Sequence, residues 1–172
     1  MNSEEKQTQE DKIDVAAALV VRKDGRILTV FNEQWGGFTL PMTKRRIRSD
    51  EKTLWTHEES WEDAAARAAV EVLGAPCFVS PVKIPIKPTP MISRRDGRVK
   101  RYNYRVFRVT FDSSGPSPIP GRDCVLAWLT PGQITAPPGK GLRPISSSAY
   151  LLVYRIRIHA PQVLKSGIAI GD

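Results

Sequence analysis

A continuous apolar run over residues 15–21 is the clearest feature in the pattern of hydrophobic and polar positions. A run of this length predicts a strand that is buried on both faces. Asp24-Gly25 follows it and predicts a tight hairpin turn, because such turns need a residue with positive φ. Residues 26–31 are then predicted to form the returning strand.

A helix is predicted between Ser60 and Gly74. Ser60 suits the N-cap, and Asp63 three residues later completes an approximate capping box. The alanine-rich stretch that follows has high helix propensity. Gly74 fits the end of the helix, and Pro76 prevents it from continuing. At helical spacing, one face is apolar and consists of Trp61, Ala65, Ala68 and Val72.

The second half of the chain has mostly strand character. Residues 77–90 are β-prone but contain four prolines, which favours an edge strand or an extended segment. Asp96-Gly97 predicts a second turn, and the alternating pattern over residues 99–111 predicts a long strand. Residues 112–121 are predicted to be a loop, and residues 124–130 a further strand.

Two segments remain between the clearer elements. Residues 43–52 are polar and basic, and they are predicted to be a loop. Residues 146–159 are predicted to form a closing helix that begins at a serine cap. Their β-branched and aromatic content leaves a strand as the alternative.

The length of 172 residues and the hydrophobic content of 41% predict one globular domain with short tails. We assign residues 1–12 to a disordered acidic tail, 13–160 to the domain and 161–172 to a C-terminal tail. No apolar run is long enough to span a bilayer, and the first residues do not resemble a secretory signal. A cytoplasmic protein with reduced thiols at Cys77 and Cys124 is therefore expected.

Charge is distributed unevenly along the chain, whose formal net charge is +8. The first fourteen residues contain five acidic and two basic side chains, a net of −3, so the remainder carries +11. A basic body attracts phosphates, nucleotides, nucleic acid or acidic protein surfaces. The alternative is that the charge serves solubility alone.

The order of these elements, together with four spaced residues, resembles the Nudix hydrolase family. The family signature is G-x5-E-x7-R-E-U-x-E-E-x-G-U, in which U is bulky and apolar. Glu59, Arg67, Glu71 and Gly74 occur at the signature spacing. The resemblance covers about residues 13–160, and it implies a single α+β domain in which a mixed β-sheet is sandwiched between helices.

The departures from the signature fall on positions that carry its chemistry. Ala68 stands at the Glu of R-E, and Val72 stands at the second acid of E-E. Thr53 replaces the first glycine, and Ala75 is small where a bulky residue is usual. Residues 40–44 are LPMTK, whereas many family members have LPGGK before the signature.

In the family, carboxylates of the signature helix hold divalent metal ions, which neutralise phosphate oxygens and activate water. The resemblance implies a residual catalytic pair, Glu71 and Arg67, and a weak Mg²⁺ or Mn²⁺ site at Glu71 and Glu59. Two of the three helix acids are missing. Standard hydrolysis is therefore expected to be impaired or lost, since a reaction slows tenfold for each ~1.4 kcal/mol of lost transition-state stabilisation.

Two alternatives stay open for these residues. Acids elsewhere could supply the missing ligands, the candidates being Glu51, Glu58, Glu62, Asp63 and Asp123. Arg67 and Glu71 could instead form an ordinary i, i+4 surface pair. Ala68 and Val72 could then simply extend the apolar face of the helix.

Two basic segments are candidate ligand-binding sites, one before the signature and one at the second turn. The candidates are Lys44, Arg45, Arg46, Arg94, Arg95 and Arg98. Arginines beside exposed aromatic residues can bind phosphates and stack on bases. The alternative is a solvated strand face whose tyrosines, Tyr102 and Tyr104, pack on the core.

Two functions follow from these observations. The first is a divergent hydrolase of nucleoside diphosphates linked to another group, with its metal-dependent reaction impaired or lost. The alternative is a non-catalytic Nudix-fold module, without a metal, that binds a nucleotide, nucleic acid or a protein through the basic segments.

Overall fold

The computed structural model describes residues 11–93, 95–110, 124–137, 139–140 and 143–165, with the backbone alone at Trp55. Arg94 and Asp123, both candidates from the sequence, lie outside the described residues. The predicted loop over residues 112–121 also lies outside them.

Among the described residues, the main sheet is mixed and has five strands. Its strands are β1 (Asp11–Leu19), β4 (Met42–Lys44), β7 (Phe78–Val82), β8 (Thr89–Ile92) and β9 (Val99–Thr110). β1 pairs antiparallel with β4 on one side and parallel with β9 on the other. β9 also pairs antiparallel with β7 and β8.

Both faces of β1 are buried, which explains its continuous apolar run. Ala17 and Leu19 belong to the apolar cluster on one face, and Ala18 belongs to the cluster on the other. The first cluster includes one side of α3 (Ser147–His159), and the second includes one side of α1 (Trp61–Leu73). The sheet therefore lies between helices in one α+β domain, as predicted.

A smaller sheet lies beside the first and has the order β10 (Leu126–Leu129), β2 (Ile27–Asn32) and β3 (Gly37–Thr39). The turn at Asp24-Gly25 forms as predicted, with Gly25 at a φ of 79°. β2 pairs with β10 and β3, however, and an isolated bridge between Val21 and Ile27 connects it to the chain after β1. The predicted hairpin is thus a corner between two sheets.

Helix α1 begins and ends where the sequence predicts. The Asp63 N–H donates to the Ser60 hydroxyl at 3.0 Å, and Gly74 ends the helix at a φ of 68°. Ala65 and Val72 are buried against the sheet. The apolar face predicted from the spacing is therefore the face that packs.

The chain after β10 closes the other face of the main sheet. α3 begins at the Ser146 cap, so the helical prediction for residues 146–159 is correct and the strand alternative is wrong. The short helix α2 (Pro131–Ile134) precedes it, and the 3-10 helix Pro161–Leu164 follows it. No helix in the described ranges is long and apolar enough to cross a membrane.

Gly37 marks a close approach between β3 and the segment before α3. The Phe38 N–H donates to the Pro144 carbonyl at 2.8 Å, and the Ser146 N–H donates to the Phe38 carbonyl at 3.0 Å. A Cβ at Gly37 would lie 2.5 Å from the Pro144 oxygen, which excludes a side chain. This contact fixes the start of α3 against the smaller sheet.

The basic stretch over residues 43–52 is not a loop. It continues from β4 into β5 (Ile47–Asp50), which pairs with β6 (Trp55–Glu58). Every residue of β5 is exposed, so no apolar alternation marks this strand in the sequence. Regular structure also enters both predicted tails, because β1 begins at Asp11 and a 3-10 helix covers Pro161–Leu164.

Candidate functional site

The two basic segments of the sequence meet in one cleft of about 590 Å³. β4 and the turn after it form one wall, and β8 with the turn into β9 forms another. Six cationic side chains line the cleft, namely Lys44, Arg45, Arg46, Arg67, Arg95 and Lys100. Within the described residues, no Asp or Glu lines it.

Half of these cations are paired with carboxylates that lie outside the cleft. The ion pairs are Arg45–Asp14 at 2.7 Å, Arg67–Glu59 at 2.9 Å and Lys100–Asp96 at 2.7 Å. The side chains of Lys44, Arg46 and Arg95 are exposed and have no ion pair with a carboxylate in the part of the chain that the structure describes. We call Lys44, Arg46 and Arg95 the open cations.

Arg67 connects α1 to the chain on both sides of the β5–β6 hairpin. Its guanidinium donates to both carboxylate oxygens of Glu59, at 2.9 and 3.0 Å. It also donates to the Thr43 hydroxyl at 2.8 Å and to the Lys44 carbonyl at 3.0 Å. The Arg46 backbone N–H completes the environment of Glu59 at 2.8 Å.

These hydrogen bonds shift the pKa values of Glu59 and Arg67 in opposite directions, and both shifts favour the charged forms. The bonds from Arg67, followed by the one from Arg46, hold the pKa of Glu59 below its ordinary value despite partial burial. The same contact with Glu59 raises the pKa of Arg67. Two of the residues that resemble the signature therefore bind each other in their charged forms and hold the hairpin against the helix.

Arg45 holds the end of β4 against β1 and α1. Its guanidinium donates to Asp14 at 2.7 Å and to Glu58 at 3.2 Å, and its central carbon lies 5.1 Å from the Trp61 ring centroid. The hydrogen bond to Asp14 raises the pKa of Arg45. Glu58, one of the acids considered as a substitute metal ligand, therefore contacts a cation.

The three signature positions on α1 have different environments. The Glu71 side chain is 61% exposed, and one carboxylate oxygen lies 3.8 Å from Arg67 Nη1, at the i, i+4 spacing. Ala68 and Val72 are 2% and 6% exposed and belong to the apolar cluster that includes Val109. Ala68 and Val72 therefore extend the buried face of the helix.

Mg²⁺ in proteins is held by oxygen ligands that converge on one point. Among the described residues, no three Asp, Glu, His or Cys side chains come close enough together to hold a metal ion. Glu59 and Glu71 both contact Arg67, which competes for their oxygens. The described side chains do not fit the divalent metal that the resemblance implies.

Aromatic residues that we did not assign to a site form part of the cleft wall. Trp35 and Tyr102 line it, with their ring centroids 5.4 Å apart and edge to face. Tyr104 stacks beside Tyr102 at 6.1 Å, and burial raises the pKa of Tyr104 above its ordinary range. Both tyrosines are buried, so they pack on the core as the alternative interpretation proposed.

The remaining candidates are distributed unevenly around the cleft. Arg98 does not line it, and its backbone N–H donates to Asp96 at 3.2 Å within the turn. Lys100 does line it, although it is not among the ligand-binding candidates from the sequence. Its alternation with Tyr102 along β9 places both on one face, and this spacing is the signal that could have identified it.

Comparisons with known proteins give a match at the level of structure. No family model matches the sequence, and no curated protein matches it either. A MutT protein from Methanosarcina mazei Go1 superposes with a TM-score of 0.59 at 15% identity, covering 87% of this chain and 96% of its own. A MutT Nudix hydrolase from Burkholderia pseudomallei gives a TM-score of 0.51 at 20% identity, covering 86% and 99%.

A third structure, a Nudix hydrolase from M. smegmatis, gives a TM-score of 0.52 at 17% identity and covers 89% of this chain and 87% of its own. At these identities the likeness establishes the fold. It extends over most of each chain, in agreement with the resemblance found in the sequence.

Proposed function

We propose that this chain, which has the Nudix hydrolase fold, binds a nucleotide or another phosphate-bearing ligand in the basic cleft and has lost standard metal-dependent hydrolysis. The observation that carries the proposal is the charge balance of the cleft, where six cations lie and no described carboxylate does. The expected cytoplasmic location is part of the same proposal.

The environment of α1 supports the loss of hydrolysis. Metal-assisted attack on a phosphate requires ions that carboxylates hold in place. Ala68 and Val72 provide no oxygen, and both are buried in the core. Glu59 is bonded to Arg67 through both carboxylate oxygens, which leaves Glu71 as the exposed acid of the signature.

The cleft wall supports phosphate binding. Guanidinium groups donate in pairs to phosphate oxygens, and ammonium groups act as compact positive charges. Arg46 and Arg95 provide the first kind of donor and Lys44 the second, on exposed side chains that need not leave a protein partner. Trp35 offers a ring against which a base can stack.

A residual hydrolase is the second candidate, and the exposure of Glu71 favours it. One carboxylate, water and the substrate's own phosphates could hold a single metal ion. This candidate predicts metal-dependent turnover that the Glu71→Gln variant abolishes.

Turnover assays separate the two candidates. The pure chain is incubated with nucleoside triphosphates, nucleotide sugars and dinucleoside polyphosphates, with Mg²⁺ or Mn²⁺. We expect no product above that of a heat-inactivated sample. Metal-dependent product that disappears in Glu71→Gln and persists in Glu33→Gln would establish the hydrolase instead. Glu33 is an exposed acid of the 3-10 helix Glu33–Trp35 and does not line the cleft.

Calorimetric titration tests the binding half of the proposal. We expect at least one of these nucleotides to bind, with an affinity that falls as NaCl is raised, because ions screen the cleft. Binding of structured or single-stranded RNA with no binding of small nucleotides would favour the nucleic-acid alternative. Absence of binding to both would refute a phosphate ligand.

A further inference from the structure

The cleft has the opposite charge balance from a site that receives a metal-complexed phosphate. In such a site carboxylates hold the metal, and the metal contacts the phosphate oxygens. Here side-chain cations surround the space directly, and no described Asp or Glu faces it. We propose that the cleft binds a polyphosphate group as the free anion and that Mg²⁺ weakens this binding. The inference rests on the proposed function.

The cations approach the space from separate elements of the fold. Lys44 and Arg46 extend from β4 and the turn after it, Arg67 from α1, and Arg95 from the turn before β9. A chain of phosphates offers oxygens along its length to groups on several elements, which is more than a single phosphate group offers. The volume of about 590 Å³ also lies in the range of sites for whole small molecules.

The ion pairs determine which cations are available to the ligand. Arg45, Arg67 and Lys100 contact carboxylates at 2.7 to 2.9 Å, so their positions are fixed and much of their charge is compensated. The open cations have no such contact among the described residues, so more of their charge remains available to a ligand. Their combined field favours a ligand with several uncompensated negative charges.

Mg²⁺ bound to the polyphosphate should weaken its binding to the cleft in two ways. It removes two of the negative charges of a polyphosphate, which reduces the attraction of the open cations. It also brings a divalent cation close to Arg46 and Arg95, with no described carboxylate in the cleft to receive it. Both effects weaken binding, which is the reverse of the dependence expected for a metal-held substrate.

The test is a pair of calorimetric titrations of the full chain, with sodium tripolyphosphate and with ATP. Each is performed without divalent metal and with excess MgCl₂, at equal ionic strength set with NaCl. We expect Mg²⁺ to weaken both by about tenfold or more, the effect of losing one charge-assisted hydrogen bond. Equal or tighter binding of either ligand in MgCl₂ overturns the inference and leaves the proposed function standing. If neither ligand binds but another nucleotide or RNA does, the inference is overturned and a phosphate-bearing ligand still stands. If no nucleotide and no RNA binds, the proposed function itself is refuted.

Variants locate the effect in the cleft. We expect the affinity for tripolyphosphate without Mg²⁺ to fall about tenfold in each of the variants Lys44→Ala, Arg46→Ala and Arg95→Ala. The difference in affinity between the titrations with and without Mg²⁺ should also become smaller in each variant. Lys23→Ala is the matched control, because Lys23 is an exposed lysine in the turn before β2 and does not line the cleft. A loss with Lys23→Ala as large as with Lys44→Ala would show that net charge alone attracts the ligand, and would overturn the assignment.

Discussion

Arg67 of helix α1 and the open cations line the same cleft, but their environments differ in burial and in ion pairing. On α1, Arg67 makes hydrogen bonds to Glu59, Thr43 and the Lys44 backbone, and Ala68 and Val72 are buried. The open cations have exposed side chains without ion pairs in the described part of the chain. Arg67 and Glu59 therefore hold the fold, whereas the open cations are the residues that we propose contact a ligand.

The largest expected effect comes from returning an acid to α1. Val72→Glu should lower the free energy of unfolding by about 3 kcal/mol, because it buries a carboxylate against apolar neighbours. Urea denaturation measures the change. Val70→Glu on the same helix is the control, and since Val70 is 39% exposed it should change stability by about 0.5 kcal/mol or less.

The Val72→Glu variant could instead leave stability unchanged and gain metal-dependent turnover. That result would show that position 72 faces a metal site. The assignment of Val72 to the buried apolar face of α1 would then be wrong.

The next largest effect separates a bonded cation from an open one. Arg67→Ala should cost about 2 kcal/mol of unfolding free energy, because it leaves the partly buried Glu59 carboxylate with one backbone donor. Lys44→Ala, on the adjoining strand, should cost less than about 0.5 kcal/mol. Equal losses of unfolding free energy in the two variants would show that Arg67 and Lys44 do not differ in their contribution to stability.

The stability that the Glu59–Arg67 pair contributes should depend on pH. The pKa of Glu59 is lowered in the folded state, first by Arg67, so its charge adds stability above about pH 4.3 that is lost as pH falls through the folded pKa. Glu59→Gln should therefore be about 1 kcal/mol less stable than the parent chain at neutral pH. The difference should shrink in urea titrations below about pH 4. A difference that is constant between pH 7 and pH 3 would assign the loss to packing.

The smallest expected effect is on the open cations themselves. Arg95→Ala should change the melting temperature of the ligand-free chain by about a degree or less, because the exposed side chain has no ion pair to lose in the described residues. The same variant should reduce the rise in melting temperature that tripolyphosphate produces. A large loss of stability without ligand would show that Arg95 has a structural role.

The sequence correctly predicted the elements that depend on residues close together in the chain. The Ser60 cap, the end of α1 at Gly74 and the turn at Gly25 each depend on residues within a few positions of each other. The β5–β6 hairpin was not predicted because every residue of β5 is exposed, so no alternation of apolar and polar residues marks that strand. The pairing of β2 with β10 and β3 was not predicted, because an Asp-Gly pair indicates a turn and does not determine which strands pair beyond it.

The candidate site was predictable in its parts and not in its assembly. Basic residues were visible around Lys44 and around Arg95, about fifty positions apart in the chain. Nothing local indicates that both segments border one cleft, because β1 and β9 lie next to each other and bring them together. Trp35 was missed for the same reason, since its neighbour Tyr102 comes from a distant strand.

The parallel pairing of β1 with β9 has a consequence for how the chain folds. Asp11 lies opposite Lys100, 89 positions later, so the centre of the sheet closes only after most of the domain has been synthesised. Contacts of such long range slow folding, and until β9 arrives the uncharged run over residues 15–21 can pair with β4 on one side alone. Asp11, Lys12 and Asp14 place charges directly before that run, in the arrangement that discourages aggregation of nascent chains.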